Sequence, residues 1–167
     1  MSDDAKQEYP RPSLTADVVV VAPGEAGRLR VLFIRRARPP FQGAWALPGG
    51  FVEPTETVGE AAARELAEET SLTGLLLEQI GCFSRPGRDP RGWVVSVAHL
   101  ATVSADHQAK ARAGDDAAAT AWLDLLLEPG GGFLLEHEGV RVDLAAGGLA
   151  FDHVDIVAAA VARLRGW

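Results

Sequence analysis

The stretch "AAARELAEET", residues 61–70, constrains this chain more than any other. Its Ala, Leu and Glu are strong helix formers, yet it crowds Glu65, Glu68 and Glu69 together. Residues three or four apart on a helix are neighbours, so the three carboxylates project from one face. Two carboxylates about 5 Å apart repel by roughly 3 kcal/mol at an effective dielectric near 20. A solvated surface helix is one reading of such a charge run. A face built to share an ion is the other, because a hard divalent cation reverses the sign of the repulsion. The cluster offers oxygen ligands and no histidine or cysteine, which suits Mg²⁺ or Mn²⁺ rather than zinc.

Thr57 and Glu60 form a capping-box pattern, so the helix is predicted to start near Val58 and run to about Thr70. Glu60 is thereby a capping residue, set apart from the other three acids. Just before the helix, "LPGGFVEP" (47–54) joins a strand end to it through two adjacent glycines. Glycine lets backbone turn tightly and approach an ion. A carbonyl of Gly49 or Gly50 is placed to add a ligand to the same metal; a plain turn is the alternative.

The rest of the chain reads as a mixed sheet with helices on its faces. "LTADVVVVAP" (14–23) is a β-branched strand stopped by Pro23-Gly24, and "RLRVLFIRRA" (28–37) is its return strand. Residues 38–50, with three of the ten prolines, read as loop. "LLLEQIGCFS" (75–84) and "WVVSVAHLATV" (93–103) read as strands around the basic loop "RPGRDPRG" (85–92). Residues 104–116 read as a polar connection, and "AAATAWLDL" (117–125) as a strand passing into a helical turn. "FLLEHEGVRVDL" suits a small hairpin, and residues 151–167 have the spacing of a C-terminal helix. Residues 1–12 are a tail or strand lead-in, 13–167 a single domain, and the Gly-rich 128–148 an insertion or lid.

Charge and composition exclude several classes. A net charge of −7 argues against a nucleic-acid partner, which needs a basic stripe. A lone cysteine, Cys82, rules out an intramolecular disulfide and fits a reducing compartment. It sits among apolar residues and reads as a small core residue, as do His99 and Trp93 as packing residues. The N-terminus has no hydrophobic run of signal type, and no apolar run approaches the roughly 20 residues that span a bilayer. The chain is therefore expected to be cytoplasmic, with no membrane partner.

The box residues carry a family resemblance. "GFVEPTETVGEAAARELAEETSL" resembles the Nudix box: Gly, five residues, Glu, seven residues, then Arg-Glu-apolar-x-Glu-Glu-x-Gly-apolar. Gly50, Glu56, Arg64, Glu65, Leu66, Glu68, Glu69 and Leu72 match it in register. Ser71 is the single departure. The pattern's Gly sits at the helix end, where positive φ is often used, so serine there is expected to cost stability. "ARPPFQGAWALPGGFVEP", "PGRDPRGWVVSVAHL", "GDDAAATAWLDL" and "LAFDHVDIV" look like the ADP-ribose pyrophosphatase subgroup, which extends the resemblance over most of 9–160.

The resemblance implies an α/β/α sandwich with a central mixed sheet, and an enzyme that uses Mg²⁺ or Mn²⁺ to hydrolyse a nucleoside diphosphate linked to another moiety. ADP-ribose, cleaved to AMP and ribose 5-phosphate, is the expected substrate. It implies Glu65, Glu68 and Glu69 as metal ligands, supported by Gly49 or Gly50, with Glu56 as an outer or second-metal ligand. Arg64 would orient the glutamates. Related enzymes often draw the general base from the loop that here ends in Asp115 and Asp116; Asp116 is the candidate, against a plain polar turn. Glu136 and Glu138 are weaker candidates. Arg85, Arg88 and Arg91 crowd one loop, and with Arg36 they are the candidate phosphate or ribose contacts; a solvated basic loop is the bland alternative. Phe41, Trp45 or Phe83 could stack on adenine. The resemblance also allows a homodimer, another Nudix substrate such as a dinucleoside polyphosphate or modified nucleotide, or a sensor that binds ADP-ribose without cleaving it. Some sensors of this kind are fused to a DNA-binding winged helix, for which the chain's end is expected to leave no room.

Overall fold

A computed structural model describes residues 9–114 and 117–166. Nine strands among them form one mixed sheet. β1 (Ser13–Pro23) and β2 (Leu29–Arg36) form an antiparallel pair through a 3₁₀ turn at Glu25–Gly27. β3 (Trp45–Ala46), β4 (Gly49–Phe51) and helix α1 (Val58–Thr70) follow, then β5 (Glu78–Phe83) and β6 (Val94–Thr102). A short helix α2 (Ala105–Gln108) leads to β7 (Ala117–Leu127), the hairpin β8 (Phe133–His137) and β9 (Val140–Arg141), and helix α3 (His153–Arg165). The strand order is β5-β6-β1-β2-β7-β8-β9, with β3 on β2 and β4 on β1. β1 and β6 run parallel, and the other pairs are antiparallel.

The valine run of β1 explains the layering. Successive side chains of a strand point to opposite faces. Val18 and Val20 pack with Ala61, Ala62 and Leu66 of α1, while Val19 and Val21 pack with Ile156, Val157, Ala160 and Val161 of α3. A strand covered on both faces needs no polar alternation, and each fully buried Val or Leu contributes roughly 1.5–3 kcal/mol. The result is an α/β/α sandwich. No helix among the described residues is long and apolar enough to cross a membrane.

Several local expectations need correction. Residues 38–50 are not all loop: β3 pairs with the end of β2, and β4 lies against the start of β1, with Thr15 opposite Phe51 and Asp17 opposite Gly49. The connection 104–116 contains α2. Residues 117–125 hold no helical turn, because β7 continues to Leu127 while pairing with β2 on one side and β8 on the other. Cys82 is exposed on the edge strand β5, and Trp93 is 55% exposed, whereas His99 is buried.

Helix α1 has the expected bounds. Thr57 is its N-cap: Glu60 N–H donates to Thr57 Oγ1 at 3.3 Å, and Thr57 N–H donates back to Glu60 Oε2 at 2.7 Å. At the other end Ser71 adopts the left-handed conformation, φ 62°, ψ 10°. A Cβ is strained there. Ser71→Gly is therefore expected to stabilise the fold by about 0.5–1 kcal/mol, the relieved strain being partly offset by glycine's greater unfolded entropy. Urea denaturation of the two proteins measures it.

Candidate functional site

The site is built where β4 is held between β1 and α1. Gly49 N–H donates to Glu69 Oε2 at 2.9 Å. At Gly50 a Cβ would lie 2.3 Å from Glu65 Oε1, so only glycine leaves room for that carboxylate against the backbone. At Gly49 a Cβ would lie 2.6 Å from Asp17 Oδ1 on the opposite side. The paired glycines thus let carboxylates close on the strand from both faces. Burial pushes the Glu69 pKa up to about 8; Glu65 and Asp17 add to the rise, against the Gly49 hydrogen bond. Glu65 is raised as well, chiefly by burial.

Arg64 organises the other acids. Its Nε and Nη2 bond Glu56 at 3.0 and 2.6 Å, Nη1 reaches Glu65 at 2.8 Å and Glu68 at 3.3 Å, and Nη2 also reaches the Phe51 carbonyl at 3.1 Å. That fork holds the Glu56 pKa down at about 2. Glu68 is the most open member, its side chain 59% exposed.

Arginines form the facing wall. A cleft of about 400 Å³ is lined by Arg36, Arg38, Phe51, Glu69 and Arg91. The Arg91 guanidinium lies over Phe51 at 4.7 Å and Phe151 at 5.1 Å, and Asp89 grips it from Nε at 3.0 Å and Nη2 at 2.6 Å. Arg36 lies over Phe151 at 4.9 Å and donates from Nε to the Pro40 carbonyl at 2.7 Å. Burial and then neighbouring Arg91 lower the Arg36 pKa, against Glu69, Asp89 and Asp17.

The other two loop arginines sit elsewhere. Arg88 turns inward and forms a bidentate pair with Asp152, at 2.9 and 2.6 Å, both side chains 3% exposed. Arg85 is on the surface, 3.5 Å from Asp155. Beneath the loop, Asp17 accepts a hydrogen bond from Ser96 Oγ. His153 Nδ1 accepts from Leu47 N–H at 2.9 Å, and burial lowers its pKa despite Asp17 and Asp152. The neutral ring therefore carries its proton on Nε2, 3.6 Å from Asp17 Oδ1.

A family model of the NUDIX domain matches residues 12–129. The chain belongs to the Nudix family. It is 45% identical over 96 residues to the ADP-ribose pyrophosphatase of Methanocaldococcus jannaschii, covering 58% of this chain and 55% of that protein. It is 32% identical over 161 residues to the ADPR responsive transcriptional repressor NtrR of Acinetobacter baylyi, covering 95% of this chain and 57% of that protein. The chain thus spans a little over half the length of both curated relatives. A MutT/nudix family protein from Enterococcus faecalis has a similar solved structure, with a TM-score of 0.84 and 41% identity, covering 95% of this chain and 64% of that one.

The Nudix box therefore lies on β4 and α1, with Glu65 and Glu69 closest to the Gly49–Gly50 backbone. Asp116 and Asp115 lie outside the described residues, although the loop before them is anchored: Gly114 N–H donates to the Glu69 carbonyl at 3.0 Å. Among the described residues no three carboxylate, histidine or cysteine side chains stand together as a complete metal-ligand set. The donors nonetheless fit a hard divalent cation. They are oxygens, Glu65 and Glu69 both close on the Gly49–Gly50 backbone, and the burial and crowding that lift Glu69 are what a cation would offset.

Asp17, Asp89, Phe51, Phe151, Asp152 and His153 were not singled out by sequence reasoning. A carboxylate inside "TADVVVV" was a usable signal, since buried Asp is rare unless paired. His153 carried no signal of its own beyond its place in "LAFDHVDIV". Arg64 yields a direct test. Lysine keeps the charge and loses the fork, so Arg64→Lys is expected to lower kcat/KM about 10- to 100-fold, the usual effect of removing a residue that orients metal ligands; steady-state kinetics on a substrate turned over by the wild type reads it.

Proposed function

We propose that this Nudix chain hydrolyses the diphosphate bond of a nucleoside diphosphate derivative, ADP-ribose to AMP and ribose 5-phosphate, with Mg²⁺ or Mn²⁺. One observation carries the reading: Glu65 and Glu69 close on the Gly49–Gly50 backbone, and Glu69 lines the same cleft as Arg36 and Arg91. Anionic and cationic walls side by side suit a diphosphate that meets the acids through a cation and the arginines directly. The relative named as an ADP-ribose pyrophosphatase supports the choice of substrate.

In this reading Glu65, Glu69 and a carbonyl of the glycine pair hold the cation, and Glu68 completes the acidic face. When bound, a divalent cation polarises the phosphoryl group and lowers the pKa of the attacking water. Arg64 positions Glu65 and Glu68, and Glu56 acts by fixing Arg64. Arg36 and Arg91 neutralise the diphosphate, while Phe51, Phe151 and Asp89 fix the plane of the Arg91 fork. Asp116 takes the proton of the attacking water. Arg88 serves the loop rather than the ligand.

A sensor that binds ADP-ribose uncleaved is the second reading, supported by similarity to a repressor over 95% of this chain. The full set of box carboxylates favours the enzyme. Incubation with Mg²⁺ and a panel of nucleoside diphosphate derivatives, with products separated by chromatography, decides between them. AMP and ribose 5-phosphate from ADP-ribose support the proposal; tight binding of ADP-ribose with no product over hours supports the sensor.

A further inference from the structure

Against Gly49 and Gly50 lies a second, smaller chamber of about 50 Å³, which shares Arg36 and Arg91 with the cleft. Thr15, Asp17 and Asp89 also line it. Thr15 precedes Asp17 by two residues on β1, so both side chains point to this side of the sheet. Thr15 is 5% exposed, and its hydroxyl has no hydrogen-bond partner among the described residues. Its neighbours are engaged: Asp89 grips Arg91, Arg88 is paired with Asp152, and Asp17 accepts from Ser96. Most buried hydroxyls find a partner, because leaving one unpaired is costly. Thr15 therefore keeps unused hydrogen-bonding capacity beside a polar space that shares Arg36 and Arg91 with the cleft.

Size and chemistry narrow what enters. A water occupies roughly 30 Å³ of liquid, so the chamber takes one or two hydroxyl-sized groups and is too small for a purine. Its carboxylates accept from a hydroxyl, and the Thr15 oxygen can donate or accept. We propose that Thr15 is a recognition residue whose hydroxyl bonds a hydroxyl of the terminal sugar of a nucleoside diphosphate sugar. This inference rests on the proposed function, and it assigns the sugar end of that substrate to the chamber and the base to the wider cleft.

Thr15→Val removes the hydroxyl and keeps the shape; Thr15→Ser keeps the hydroxyl. Calorimetric titration with ADP-ribose, ribose 5-phosphate and AMP, together with kinetics and thermal melts, tests the assignment. Thr15→Val is expected to weaken ADP-ribose and ribose 5-phosphate roughly 5- to 10-fold, to leave AMP unchanged, and to raise KM more than it lowers kcat. Its Tm is expected to stay or rise, because an unpaired buried hydroxyl is lost. Thr15→Ser is expected to bind like the wild type. Unchanged affinities in Thr15→Val would mean that the hydroxyl holds only water, and a lower Tm with unchanged affinities would mean a packing role; either overturns the proposal, as does equal weakening of AMP. The wild type is the control for the underlying reading. If it takes another member of the substrate panel, the comparison is made with that member and its fragments, and if it takes none, both readings fall.

Discussion

Glu69→Gln is expected to lower turnover of ADP-ribose on the order of 10³-fold and, at pH 8 without divalent cations, to make the fold more stable. Both effects have one cause. Glu69 is largely buried beside Glu65 and Asp17, and its pKa stands at about 8 instead of the ordinary 4.5. Between those values the unfolded chain has released a proton that the folded chain keeps. The folded state binds more protons there, so stability falls as pH rises through the window and levels off above about pH 8. Glutamine carries no such proton and accepts the same Gly49 N–H. The difference between the two proteins should be near zero at pH 4.5 and reach at most about 5 kcal/mol above pH 8, less where solvent reaches the carboxyl. Urea denaturation at pH 5 and pH 8 in a chelator measures it. Added Mg²⁺ should narrow the gap by stabilising only the wild type. A glutamine variant with wild-type turnover, or one less stable at pH 8, would sink this account of the acidic face.

The elements that were readable from sequence are those set by neighbours in the chain. Thr57 and Glu60 are three residues apart, so the cap and the helix start could be placed, while Ser71, left-handed at the helix end, stood out only against the glycine of the resembled pattern. The carboxylate spacing of Glu65, Glu68 and Glu69 was equally local. What escaped depends on partners distant in sequence. β4 is three residues long and exists because Thr15, Ala16 and Asp17 lie opposite it. Residue 88 looked like its loop neighbours 85 and 91, but its guanidinium meets Asp152, 64 positions later. Cys82 is exposed while Ile80 and Phe83 of the same edge strand pack against the core, a difference that no composition reveals. Arg91 was found for its charge; the Phe51 and Phe151 rings that hold it belong to separate segments.

Breaking the Arg88–Asp152 pair from one side is expected to cost about 3–5 kcal/mol. Both side chains are almost wholly out of water, and the pair joins the loop 85–92 to the start of α3. Asp152→Asn keeps the volume but turns an amide donor toward a guanidinium that is left charged and poorly matched. Arg88→Met leaves the carboxylate of Asp152 in the same position, with Asp17 nearby and no cation between them. Each single variant should therefore show a much lower urea midpoint. The double variant Arg88→Met/Asp152→Leu removes both charges, and buried pairs replaced by apolar residues are often neutral or better. It should recover most of the loss, giving a large coupling energy in the double-mutant cycle. Stability regained is not the same as function regained. The same loop carries Asp89 and Arg91, and without the pair its position over the cleft rests on weaker contacts. The double variant is expected to be as stable as the wild type, within about 1 kcal/mol, and still to have a raised KM. A double variant with the summed loss of the two singles would mean that packing, not uncompensated charge, sets the cost.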